Sequence, residues 1–304
     1  MMAVTGGKGA ARDGDGGVLV TGAGGQLGIE LVEALRREGT VVAPCDRATL
    51  DVTDRAAVFA AVDASAPAVV VNAAAWTDVD GCEADPDRAM AVNAHAVAHL
   101  ADAARRAGAR FCQISTDFVF DGARRRPYDE SDQPAPLSVY GRSKLAGEQA
   151  AGADALVVRT SSLYGDHGHH LVRTVLDRAD ASSDELTLVS DRWISPTVVA
   201  DLVPVLLRLL DGRRTGLFHV AGAGAATPFE VAQAALAAAG HDPRRARPVP
   251  SAELRPARPA PRPVYSVLGH AALTSAGLPT LPPYGPSLAA LVERLRSRRR
   301  PDQA

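Results

Sequence analysis

In "VLVTGAGGQLGIEL", residues 18–31, a β-rich apolar run gives way to a helical pattern across a glycine loop. Gly22, Gly25 and Gly28 stand at Gly-x-x-Gly-x-x-Gly spacing. Gly22 permits a tight turn, Gly25 lets backbone approach a pyrophosphate, and Gly28 lets the helix pack close to the sheet. Gln26 and Leu27 open the helix, whose N-terminus faces the phosphates. A lone glycine loop is a weak signal, because glycines often only make turns. Flanked by strand and helix, this one predicts a dinucleotide-binding unit.

Outward from it, apolar runs and helical patterns alternate. Strands are expected at 17–23, 40–46, 67–75, 110–116 and 155–162. Helices are expected at 26–39, with Gly39 past its end, at 54–66 with Asp54 as N-cap, at about 86–107, and from Tyr140 onward. The run "PAVVVNAAA" is apolar throughout, as in a parallel strand buried on both faces. The alternation predicts an α/β fold, a doubly wound parallel, Rossmann-like sheet with a smaller C-terminal substrate-binding lobe. Residues 1–16 and 298–304 read as tails, 17–162 as the dinucleotide-binding domain, and 163–297 as a mixed region that completes the sheet and forms the lobe. Residues 242–264 hold seven prolines and six arginines, so an extended connection or binding loop is expected there and no regular element.

The chain of 304 residues has a net charge of −2, which gives no pull toward nucleic acid or membrane. Neither a signal peptide nor a transmembrane run is found. Cys45, Cys82 and Cys112 fit reduced thiols in a cytoplasmic protein better than a disulfide framework.

At the end of the second strand, Asp46 suits a free ribose 2′-hydroxyl and Arg47 a 2′-phosphate, so NADH and NADPH both stay open. Asp46 also reads as a strand-end cap. Asp51 fits either an adenine contact or a turn cap. Basic positions are written as arginine 31 times and as lysine only at Lys8 and Lys144. Lys144 lies four residues after Tyr140, on the same helix face. An ammonium there lowers a tyrosine pKa and can hold a ribose, with a reach and shape that arginine lacks. "ISTD" (114–117) ends a central strand, where such sheets place ligands, and Thr116 or Ser115 could polarise a carbonyl.

Glycine loop, hydroxyl, Tyr140 and Lys144 together resemble the extended short-chain dehydrogenase/reductases. "NAAAWTDVDGCE", "ISTDFVFDG", "PLSVYGRSKLAGE", "SDRWISPTVVADL" and "RPVYSVLGHAAL" narrow the resemblance to the dTDP-4-dehydrorhamnose reductase family, from about residue 17 to about 297. That implies reduction of the C4 ketone of a dTDP-4-keto-6-deoxyhexose by NADPH or NADH, with NADPH favoured. It implies Thr116, Tyr140 and Lys144 as catalytic residues, with Tyr140 as proton donor. Val52, Asn72, Ala73, Ala74, Asn93 and Ser115 join the glycine loop, Asp46, Arg47 and Asp51 along the cofactor. Thr77, Val79, Asp117, Phe118 and Ser162 fall near the sugar, with Arg159, Pro196 and Thr197 in neighbouring motifs. The arginine-rich region 244–262 and the C-terminal lobe are expected to contact the nucleotide diphosphate, with Arg262 foremost.

Three positions depart from the family's pattern. Phe118 stands where Tyr is usual, Ser162 where an aromatic is common, and Trp76 where His is frequent. A related 4-keto-deoxysugar therefore stays open as substrate. An epimerase or dehydratase with bound NAD is the alternative reaction, although Asp117 has no neighbouring Glu. A regulatory, non-catalytic subunit is the alternative without chemistry. Some members dimerise through a carboxylate-bound magnesium. Glu30 matches one such position, which leaves a homodimer open and no metal assigned. His167, His169 and His170 read as a solvated loop.

Overall fold

The computed structural model describes residues 16–298. The expected tails fall outside them except for Gly16, which packs on Ala66–Ala68, and Arg298, which pairs with Asp166 at 3.2 Å. Strands β1 (Val18–Thr21), β2 (Val42–Cys45), β3 (Val69–Asn72), β4 (Arg110–Thr116) and β5 (Leu156–Thr160) alternate with helices. These are α1 (Gln26–Arg37), α2 (Arg55–Ser65), the short α3 (Val79–Ala84) and α4 (Pro86–Met90), α5 (Ala96–Arg106) and α6 (Val139–Ala151). The rest of the chain supplies β6 (Leu163–Tyr164), α7 (Leu171–Ala181), β7 (Leu186–Val189), β8 (Thr197–Val198), α8 (Val199–Asp211) and β9 (Gly216–His219). It closes with α9 (Pro228–Ala238), β10 (Ala246–Val249), α10 (Ala271–Ser275) and α11 (Tyr284–Ser297).

Six strands form one parallel sheet in the order β2-β1-β3-β4-β5-β9. Strand side chains alternate between faces, and here both faces are covered. Val18, Val20, Val69, Val71 and Ile114 pack with α1 and α8. Leu19, Val70, Phe111 and Val157 pack with α2 and α5. That is why "VVVN" reads as an unbroken apolar run. Chain order reverses between β1 and β3, so the carboxyl ends of these strands open the crevice that takes ligands in such sheets.

The helix signals act as expected. Gly39 has φ +76° and donates to Arg36 O at 2.9 Å, closing α1. Asp54 caps α2 by accepting from the amides of Ala56 and Ala57. The helix expected at 86–107 is interrupted by a π-turn at Ala91–His95, which holds Asn93.

A second core lies in the C-terminal lobe, where α7, α9 and α11 bury Val172, Leu176, Leu236, Leu288 and Leu291. One expectation is corrected there. β10 lies inside the proline- and arginine-rich run and pairs in parallel with β7, Ala246 opposite Leu186. Its only proline, Pro248, sits on a two-stranded sheet, where an edge position tolerates a missing donor.

Candidate active site

The glycine loop closes on the carboxyl end of β3. Gly22 has φ +69°, and a Cβ there would lie 2.5 Å from Ala74 N. A Cβ on Gly28 would collide with the Gly22 carbonyl. Gly25 caps α1 with extended backbone, and its amide donates to Gly22 O at 2.9 Å. The loop opens onto a cleft of about 1010 Å³, lined by Gly22, Gly24, Gly25, Asp46, Arg47, Asp51, Val52, Ala73, Ala74 and Trp76, and no side chain caps the first turn of α1. Leu27 is buried, and the Gln26 side chain turns to Gly165 N at 3.2 Å, which ties α1 to the lobe. Only the Gln26 backbone is left for a ligand.

Asp46 Oδ1 accepts from Ala48 N, Thr49 N and Thr49 Oγ1 at 2.9–3.0 Å, so it caps its turn. Asp51 does the same for Thr53. Hydrogen bonds hold both carboxyls below their usual range. Arg47 is exposed on the cleft wall. Arg88, absent from the sequence-derived set, lies over the Trp76 ring at 4.3 Å and lines the same cleft. No local pattern marks it.

A buried polar row crosses the sheet beneath the cleft. Thr21 Oγ1 donates to Asn72 Oδ1 at 2.6 Å, and Asn72 Nδ2 donates to Gln113 Oε1 at 2.8 Å. Gln113 Nε2 donates to Ile114 O at 2.7 Å, the oxygen that also accepts from Lys144 Nζ at 2.7 Å. Burial pulls the Lys144 ammonium down to about 8, with Glu148 opposing. Glu148 forms a buried pair with Arg159, 2.8 and 2.6 Å, and takes the Ser115 hydroxyl at 2.5 Å. Ser115 therefore faces Glu148 and not a ligand, because neighbouring strand residues point to opposite faces. Thr116 is the hydroxyl on the other side.

Asn93 is a clamp. Its side chain pairs with both backbone groups of Trp76, at 2.9 and 3.0 Å, and donates to Ser143 on α6 at 3.0 Å. Gly147 lets α6 approach the Asn93 carbonyl, which a Cβ would strike.

Tyr140 is buried among Trp76, Val79, Cys82 and Phe118, with the Phe118 ring edge-on at 5.5 Å. Its pKa differs from the sequence expectation. Burial pushes the phenol well above its usual value; the Thr116 hydrogen bond opposes this, while Asp117 and Cys82 add to it. The ammonium expected to lower it is engaged by Ile114 O. Asp117 turns away from the pocket into three hydroxyls, Thr116 at 3.1 Å, Ser161 at 2.9 Å and Ser266 at 2.5 Å. Burial pushes it up to about 6 despite those donors. It joins β4 to the end of β5 and to one segment of the lobe.

On the substrate side, Thr77 is exposed just before α3 and Val79 packs beside Tyr140. Ser162 adopts φ +44°, rare for a residue with a side chain. Thr197 is buried and accepts from Gly222 N at 3.0 Å. Gly222 makes room for the Pro196 carbonyl. Arg262 is held by Asp80 on α3 at 3.0 and 2.7 Å.

The three histidines diverge. His167 stands 3.9 Å from Glu33, and His169 is exposed. His170 is buried, not solvated: it caps α7 and bonds Gly165 O at 2.8 Å, and burial pulls it down to about 4. Among the described residues no group of three or more His, Cys, Asp or Glu is placed to hold a metal. The three cysteines are free; burial raises each thiol, Cys82 to about 11 and Cys112 to about 12. No helix among the described residues is long and apolar enough to cross a membrane.

Residues 16–297 match the family model described as RmlD substrate binding domain. The chain is 44% identical over 281 residues to the dTDP-4-dehydrorhamnose reductase of Mycobacterium tuberculosis, covering 90% of this chain and 91% of that one. It is 41% identical over 264 residues to the dTDP-4-keto-6-deoxy-D-glucose reductase of Streptomyces niveus, covering 86% and 91%. The structure of the Bacillus anthracis dTDP-4-dehydrorhamnose reductase in complex with NADP superposes with a TM-score of 0.85 at 35% identity, covering 92% of this chain and 98% of that one.

Proposed function

The chain belongs to the RmlD substrate binding domain family, and from that premise we propose that it reduces the C4 ketone of a dTDP-4-keto-6-deoxyhexose. It is a nicotinamide-dependent oxidoreductase of dTDP-sugars, like its relatives named for dTDP-4-dehydrorhamnose and dTDP-4-keto-6-deoxy-D-glucose. One observation carries the reading. Tyr140 and Lys144 are buried on one face of α6, Tyr140 hydrogen-bonds Thr116 at the carboxyl end of β4, and it packs with Trp76, which lines the glycine-loop cleft.

The cleft suits a dinucleotide, because glycines stand where any Cβ would strike the loop or β3. Gly22, Gly25 and the first turn of α1 would hold the pyrophosphate, and Asp46, Arg47, Asp51 and Val52 the adenosine end. Ala73, Ala74 and Lys144 would line the nicotinamide end, with Asn93 acting from behind by holding Trp76 against α6. Exposed Arg47 beside an Asp46 already occupied with its turn favours NADPH. When bound, the cofactor supplies the hydride for the sugar C4.

Tyr140 donates its proton to the ketone oxygen as charge develops there. Its raised pKa keeps the phenol protonated, the form an acid must have. Thr116, whose hydroxyl proton goes to Asp117 here, would turn to donate to the same oxygen. Lys144, held by Ile114 O one turn along α6 from Tyr140, would offer its remaining ammonium protons to the ribose. Thr77, Val79, Phe118 and Ser162 bound the sugar. A homodimer and a cytoplasmic setting belong to the same proposal.

NADPH and NADH oxidation against a panel of dTDP-4-ketosugars tests it, with the product's C4 configuration read by NMR. Turnover of at least one such ketone is expected; none across the panel would discard the reading.

A further inference from the structure

Few charges line the cofactor cleft. Asp46 and Asp51 are committed to their own turns, and Asp87 is exposed to solvent. Among the described residues that line it, the cations are Arg47 and Arg88. NADPH would bring two anionic groups there, a pyrophosphate and a 2′-phosphate.

Strand order separates the two arginines. In the run β2-β1-β3, Arg47 follows β2 and lies on one flank of the glycine loop. Trp76 follows β3 on the other flank. It comes two residues after Ala74, whose amide nitrogen would lie 2.5 Å from a Cβ on Gly22. Arg88 reaches that flank from α4, its guanidinium 4.3 Å from the centre of the Trp76 ring.

A series of contacts fixes the guanidinium. Asn93 holds both backbone groups of Trp76. Gly81 leaves room for the indole, since a Cβ there would lie 2.9 Å from Trp76 Cζ2. The Arg88 amide donates to Asp85 Oδ1 at 3.0 Å. Among the described residues no carboxylate pairs with the Arg88 side chain, and the ring is its partner. A π face orients a guanidinium without consuming its N–H donors. Those donors suit phosphate oxygens.

We infer that Arg88, held by Trp76, is the side-chain cation for the cofactor's pyrophosphate, and that Arg47 serves the 2′-phosphate alone. The inference rests on the nicotinamide-cofactor reading above. The glycine loop meets the pyrophosphate with backbone from the β1 side, and Arg88 adds charge from the β3 side. Trp76 is a positioning residue here, acting through Arg88.

Calorimetric titration of the whole protein with NADPH, NADH and ADP-ribose tests this. ADP-ribose carries the pyrophosphate but neither the nicotinamide nor the 2′-phosphate. Arg88→Gln, at an exposed position, is expected to weaken all three about tenfold. Trp76→Leu is expected to weaken them about threefold, and to add little on top of Arg88→Gln because both act through one contact. A loss confined to NADPH would assign Arg88 to the 2′-phosphate and overturn the inference. Unchanged ADP-ribose affinity in Arg88→Gln overturns it as well, whether or not Trp76→Leu folds. Fully additive losses remove Trp76 as the residue that positions Arg88. If the unaltered protein binds none of the three, the nicotinamide reading itself falls. If Arg88-dependent binding persists in a protein that reduces no dTDP-4-ketosugar, the site stands and the proposed reaction falls.

Discussion

The cofactor half and the substrate lobe are held together by different means. In the first, five strands alternate with their helices, and each strand pairs with a neighbour from the same half. Its polar residues stand in rows: Thr21, Asn72 and Gln113 beneath the cleft, Glu148 and Arg159 behind α6. In the lobe, β10 pairs with β7 and Asp80 reaches Arg262 across long stretches of sequence. Bound geometry in the first half is set by backbone regularity. In the lobe it is set by individual side-chain clasps, and these are what a change of substrate would alter.

If that contrast is sound, Glu148→Gln should have the largest effect. It leaves Arg159 buried and unpaired, at about 3–5 kcal/mol of stability. Glu230→Ala, which breaks the α9 capping box in the lobe, should cost only about 1 kcal/mol. Urea unfolding of the two variants compares them, and equal losses would erase the contrast.

Tyr140→Phe comes next, with turnover expected to fall about 10²-fold or more while NADPH binding persists. Single-turnover oxidation at saturating ketosugar would read this, and near-normal rates would remove Tyr140 from the chemistry. Lys144 should set an alkaline limb. A lysine lowered to about 8 is charged below that pH and neutral above it, so kcat/KM should fall about tenfold per unit beyond it. A flat profile from pH 7 to 10 would show that the charge is not used. Arg47→Gln should have the smallest effect, raising KM for NADPH about five- to tenfold and leaving NADH unchanged. Equal changes for both would place Arg47 away from a 2′-phosphate.

The first half was largely legible in the sequence, because its signals are local. The glycine spacing, the Asp54 cap, Gly39 and the pairing of Tyr140 with Lys144 can each be read within a few residues. The lobe was not. β10 has a proline and two arginine neighbours and becomes a strand only because Leu186–Val189 lies alongside. Arg262 looked like a free cation until Asp80 came within 2.7 Å. Asp117 looked like a pocket residue, but the hydroxyls of Ser161 and Ser266 turn it inward. The direction of the Tyr140 shift was missed for the same reason, since burial cannot be read from spacing.

The partner of Lys144 is a main-chain oxygen. No substitution at residue 114 can delete it, so mutational drift there changes packing and leaves the anchor in place. Gln113 shares that oxygen through its side chain and has no such protection. A search for distant changes that loosen Lys144 would therefore begin at residue 113 and pass over 114.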